Sequence, residues 1–271
     1  MFLKLFKHEL KATAKIQTIL AASLLGVSLL EALLLYLVGN IQSNSAAVGI
    51  LSALTLPVLL ISVIAYGMAA SILVIYRFYK HKFTDEGYLT FTLPVSTDQL
   101  IWSSYLSMLL WGLVVTLVSL GSLVLVVNVL LHIMSEDVLD LFTLMGGAWE
   151  EIWSVQYMDS EIRSYLILSI VGGVISMLVG HLSVMMAVCL GAAAAKKLKL
   201  LAAFGIGYGI SIALSTIQTT VTMSLGTAAG VSGQQLPLWI APVFQIILYL
   251  ALGVGSYLTV RCFMGKKLNL N

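Results

Sequence analysis

Residues 200–260 read LLAAFGIGYGISIALSTIQTTVTMSLGTAAGVSGQQLPLWIAPVFQIILYLALGVGSYLTV, 61 positions without one charged side chain. A helix crosses the roughly 30 Å hydrocarbon core of a bilayer with about 20 apolar residues, so this run holds more than one crossing. The stretch from Gly226 to Gln235 (GTAAGVSGQQ) is its polar, glycine-rich break. Two spans follow from that break, at about 200–224 and 238–260.

The same reading extends upstream. A tight basic turn, Lys196-Lys197-Leu198-Lys199, precedes the fifth span, and before it the uncharged run 164–195 is the fourth. Residues 99–135 are also uncharged and give a third span of about 100–131. Residues 32–76 carry no charge either, but Asn40-Ile41-Gln42-Ser43-Asn44-Ser45 divides a first span (16–38) from a second (48–75). The first run is longer than the apolar region of a signal peptide and is read as a retained span. These runs lack period-two alternation and outrun a barrel strand, so the expected class is all-α with six transmembrane helices. Composition agrees: 60% of the 271 residues are apolar and 10% charged, against roughly 25% charged in soluble domains. Mean hydropathy is +1.03. A soluble globular domain is excluded.

Orientation is read from the basic residues. Lys4, Lys7, Lys11 and Lys15 precede the first span, and Arg77, Lys80 and Lys82 follow the second. Lys196, Lys197 and Lys199 join the fourth and fifth, and Arg261, Lys266 and Lys267 follow the sixth. Six spans put these thirteen on one side and only Arg163 on the other, so both termini are expected in the cytoplasm. Residues 1–15 place Phe2, Leu3, Phe6 and Leu10 on one face between lysines, the pattern of an amphipathic helix in the headgroup plane. The opposite, extracellular side holds the acidic and aromatic segment 132–163, including Glu136, Asp137, Asp140, Glu150, Glu151, Trp149 and Trp153. It is expected to lie on the membrane or to cap the bundle as a lid.

Chemistry-bearing residues inside the spans are few. Glu31 and His181 are the ionisable ones, and a charge at the bilayer centre costs about 2.5–3.5 kcal/mol on insertion scales. Glu31 either reaches outward to a polar partner or lines a substrate path. His181 either stays neutral and hydrogen-bonded within the bundle or does the same. Cys189 and Cys262 show neither metal-ligand nor disulfide spacing. There is no phosphate loop and no H-E-x-x-H or G-x-S-x-G motif, so no catalytic residues, metal or cofactor are expected in this chain. Gly205, Gly209 and Ala213, and Ser169/Gly173 and Ser176/Gly180, recur every four positions and suit close helix packing.

The segment between the second and third spans, 76–98, is long and aromatic for a connector: YRFYKHKFTDEGYLTFTLPVSTD. Thr84 can cap a short turn with Asp85 and Glu86 at its start. Gly87 allows a close backbone approach or ends a turn. Ser96 and Gln99 have capping-box spacing at the start of the third span. The expected result is a structured knob exposing Tyr88, Leu89 and Phe91, or a turn packed on itself beneath the bundle.

Arg77-Phe78-Tyr79, Asp85-Glu86-Gly87-Tyr88-Leu89-Thr90 and Leu93-Pro94-Val95-Ser96 resemble the first cytoplasmic loop of bacterial ABC-type export permeases. Phe6-Lys7-His8-Glu9-Leu10-Lys11-Ala12-Thr13 is similar to their amphipathic connecting helix in Firmicutes members. The resemblance implies a multi-pass subunit of the bacterial cell membrane, dimeric with a second copy or a related permease. It implies a separate cytoplasmic ATPase subunit holding ATP and Mg, and no nucleic-acid partner. Thr84, Asp85, Glu86, Gly87, Tyr88 and Leu89 would form the coupling contact with that ATPase. A gradient-driven transporter or channel would instead show helices broken at the midplane, for which Gly172-Gly173 and 205–209 are candidates. A non-transporting scaffold or sensor is the third class.

Overall fold

Lipid offers a backbone no water to bond, so each spanning segment must satisfy its own amides and carbonyls, which a helix does. The computed structural model describes residues 2–41, 46–84, 87, 95–134, 147, 160–195, 198–232 and 237–267. Among them are six long helices and no strand: α1 (Phe2–Ile41), α2 (Ala46–Phe83), α3 (Thr97–Met134), α4 (Ser160–Ala194), α5 (Lys199–Ser232) and α6 (Ile240–Lys267). All six are long and apolar enough to cross a membrane, as a multi-pass membrane protein requires.

The helices outrun the apolar runs. Residues 2–15 and the first span are not separated by a break: α1 is one helix of 40 residues, about 60 Å at 1.5 Å each. That exceeds the hydrocarbon thickness even with tilt. Likewise α2 continues past Ile75 to Phe83, with Lys80, His81 and Lys82 in its last turn, where cations offset the helix dipole. Helices α4 and α5 run unbroken through Gly172-Gly173 and through 205–209, so those glycines are not midplane breaks.

The chain divides into two compact units. Unit 2 comprises Lys7–Val74 and Leu110–Ser154. Its core joins Ala32 and Leu35 of α1, Leu59 of α2, and Val126 and Leu130 of α3, with Val63, Leu125 and Val129 against them. Gln17 Nε2 donates to the Ala70 carbonyl at 3.2 Å. With Leu59 beside Ala32 and Leu35, this bond sets α1 and α2 antiparallel. Polarity is inverted relative to a soluble fold: Ser28 and Ser122 are fully buried while Leu117 is 67% exposed. Both hydroxyls donate back within their helices, to Leu25 and Ser119 carbonyls, and so bury no orphan group.

Unit 1 comprises Met1–Phe6, Ile75–Leu109 and Val155–Asn271. Here α4 packs on both α5 and α6. A Cβ at Gly191 would fall 2.4 Å from the Ala203 nitrogen, and one at Gly207 would fall 3.5 Å from Ala187 Cβ. The paired numbers rise on one helix as they fall on the other, so α4 and α5 are an antiparallel hairpin in backbone contact. Gly172 meets Gln245 and Ile246, and Gly253 meets Val179, so α4 and α6 run parallel. The four-residue repeats are not these contacts. Gly173, Gly180, Gly205 and Gly209 have open space where a Cβ would go.

Candidate partner-contact site

The end of α2 and the start of α3 both belong to unit 1. Phe78 and Phe83 are buried and meet edge to face, 6.1 Å between centroids, and Tyr79 stacks on Phe83 at 6.3 Å. Lys82, which precedes Phe83, is 1% exposed. The chain then turns at once. Thr84 Oγ1 donates to the Lys80 carbonyl, and the Thr84 carbonyl accepts the Gly87 amide at 2.8 Å. The threonine hydroxyl thus donates to the end of α2. Its carbonyl begins the turn.

Gly87 is buried in that turn. A Cβ there would lie 2.8 Å from the Lys82 carbonyl oxygen and 3.0 Å from its carbon, so backbone passes where a side chain would be. The reversal therefore requires glycine for space. Asp85, Glu86, Tyr88 and Leu89, with Thr90–Pro94, lie outside the described residues.

Helix α3 begins with the serine half of the expected capping box. Ser96 Oγ accepts the Gln99 amide at 3.3 Å, and the Ser96 carbonyl accepts Leu100 N–H. Asp98, in the first turn, suits the positive end of the helix dipole. Its Oδ1 accepts Tyr257 O–H at 3.0 Å and Arg261 Nε–H at 3.2 Å, both from α6. Trp102, one turn on, packs against Tyr257 and Tyr105. Tyr105 O–H donates to the Leu178 carbonyl of α4. Leu100, Ile101, Ser103, Ser104, Ser107 and Met108 are buried around these contacts. The first three turns of α3 are thereby fixed to α4 and α6, a few residues after the turn at Gly87.

Sequence reasoning missed Asp98, Tyr257 and Arg261. The signal available was charge sign: the positive-inside partition puts an acid and a base at span ends on one side. The Arg261 and Asp98 side chains are 55% and 38% exposed, so their ion pair is worth at most about 1 kcal/mol. A double-mutant cycle of Asp98→Asn and Arg261→Gln is expected to give a stability coupling of a few tenths of a kcal/mol. Strictly additive losses would show that the pair contributes nothing.

Of the two intramembrane candidates, His181 Nδ1 bonds the Met177 carbonyl of its own helix at 2.8 Å. Both Glu31 carboxylate oxygens are shielded and have no hydrogen-bond partner among the described residues. The two residues belong to different units. Comparison with protein-family models, curated proteins and solved structures returned no match to this chain.

Proposed function

We propose that this chain is the membrane permease subunit of an ATP-driven ABC exporter in the bacterial cell membrane. In this reading both termini and residues 76–98 face the cytoplasm. The permease pairs with a second copy or a related permease. A separate ATPase subunit holds ATP and Mg, hydrolyses the nucleotide and contacts Thr84 to Leu89.

One observation carries the reading. A glycine-dependent turn closes the end of α2 and is followed within ten residues by a helix start tied to α4 and α6. In this reading the ATPase pushes at the turn and the packed start of α3 receives the movement, since transmission needs an element with different contacts in two states. The unbroken α4 and α5 give no support to midplane ion sites of the secondary-transporter kind.

Purification from the native host is expected to bring down an ATPase chain that lacks spans of its own. Replacing Glu86 and Tyr88 together should abolish permease-stimulated ATP hydrolysis while the protein still inserts. If the purified chain moved cargo with no ATPase present, the exporter reading would fail. Retention of an ATPase without nucleotide-dependent flux would make the chain a scaffold.

A further inference from the structure

We propose that the exposed side of α1 holds an anionic phospholipid, with its headgroup on Lys11 and Lys15. Lys4, Lys7, Lys11 and Lys15 recur every three or four residues and so share one side of the helix. All four are exposed. None has a hydrogen bond or ion pair among the described residues. The one acid of this segment, Glu9, is in register with buried Thr13 and therefore belongs to the other side.

The lysine side continues down the span. From Lys15 the same steps run through Thr18, Ala22, Gly26, Leu29 and Leu33, every one exposed. Leu29 and Leu33 are 58% and 49% exposed, and nothing lies within 4 Å of a Cβ at Gly26. The packed side is roughly half a turn away and carries Thr13, Gln17, Leu24, Ser28, Ala32 and Leu35, all buried. In a bilayer the exposed side therefore meets acyl chains, and the lysines stand directly above them. Thr18, Ala22 and Gly26 are small, which leaves room beneath Lys15 for a chain to lie close.

Heights agree with this placement. Lys15 to Leu33 is eighteen residues, about 27 Å of rise, close to the roughly 30 Å of the hydrocarbon core. Lys15 then sits at its border. Lys11 is about 6 Å further out, inside a headgroup layer about 5–8 Å deep. Two lysines one turn apart can share one phosphate as point charges. Lys7 and Lys4 stand about 12 and 16 Å beyond Lys15, where they add to the attraction without touching that phosphate. A second copy on this side would set lysines against lysines. A soluble acidic partner could reach Lys4 and Lys7 but has no use for a side that is apolar below Thr18. The lipid site requires neither an ATPase nor a choice of cytoplasmic side.

The test reads which lipid lies against this side. Thr18→Cys in a Cys262→Ser background takes a bimane label just beneath Lys15; the other cysteine, Cys189, is buried. Leu117→Cys labels a 67% exposed position remote in sequence from every lysine, for comparison. In nanodiscs of zwitterionic lipid, quenching by chain-brominated phosphatidylglycerol is measured against chain-brominated phosphatidylcholine. At Thr18 the anionic lipid should bind at least about fivefold better, the effect of one lysine near a bilayer surface. At Leu117 the two should quench alike. Lys11→Gln with Lys15→Gln should remove the preference, and Lys11→Arg with Lys15→Arg should keep it. Lys4→Gln with Lys7→Gln, an equal loss of charge, should lower it less. Equal quenching by the two lipids at Thr18 would overturn the site and leave the lysines to steer insertion alone. A preference that survived Lys11→Gln with Lys15→Gln, or fell as far with Lys4→Gln and Lys7→Gln, would overturn it as well. So would displacement of the lipid by soluble glycerophosphate, because a free anion would then be the ligand.

Discussion

Gly191→Val is expected to remove most of the stability of the α4–α5 hairpin, whereas Gly205→Val leaves it unchanged. At Gly191 the first atom of any side chain would lie 2.4 Å from the Ala203 nitrogen, 2.6 Å from its Cα and 2.7 Å from its Cβ. These are atoms of a neighbouring helix, two of them backbone, and none can rotate away. The helices must separate, and the Ala187–Gly207 contact one turn along loses its fit as well. Membrane helices associate through such packing, with no hydrophobic drive between them to compensate. Overpacking costs about 1–3 kcal/mol where side chains can adjust, and backbone obstruction belongs at or above the top of that range. At Gly205 nothing lies within 4 Å, and a change of about 0.5 kcal/mol or less is expected. Gly253→Ala should fall between, because its Cβ would meet Val179 Cγ2 at 3.0 Å, a side-chain atom able to yield slightly. Unfolding by dodecyl sulfate, followed by far-ultraviolet circular dichroism in mixed micelles, orders the three. Equal stability of the Gly191 and Gly205 variants would refute the close approach of α4 and α5.

That graded series also marks where the sequence stops being informative. Six helices were legible because lipid imposes long uncharged runs, and a run of 61 residues with one polar break admits few other readings. Helix ends were less legible. Arg77, Lys80 and Lys82 interrupt hydropathy but not helicity, since basic residues favour a helix C-terminus; α2 therefore runs on to Phe83. The faces that pack were not legible at all. A repeat of four, as in Gly205, Gly209 and Ala213, shows which residues share a face, but a helix apolar all round gives no sign of which face turns inward. The contacts fall instead at Gly191, Gly207, Gly172 and Gly253. At the candidate site, local chemistry was readable and distant chemistry was not. The Ser96 cap spans three residues and is present. The Tyr257–Asp98 bond joins residues 159 apart, which no spacing rule reaches.

Gly87→Val is expected to separate coupling from folding. Its Cβ would fall 2.8 Å from the Lys82 carbonyl oxygen, and the turn from Thr84 to Gly87 holds that geometry with a 2.8 Å amide–carbonyl bond. Opening the turn displaces the segment that follows it. It leaves intact the Asp98 contacts to α6, the Tyr105 bond to α4 and the α4–α5 hairpin, none of which includes residue 87. The bundle should therefore unfold at nearly the same detergent concentration as the unmodified protein. With the ATPase of the proposed exporter present, permease-stimulated hydrolysis should fall at least about tenfold, equivalent to about 1.4 kcal/mol in barrier height. The two readouts distinguish the explanations. Loss of both would make Gly87 a determinant of folding. Normal stimulated hydrolysis in a stable variant would mean that the turn transmits nothing, and the contact would have to be sought elsewhere on the chain. Only lost stimulation in a stably folded bundle fits a turn whose geometry serves the partner rather than the fold.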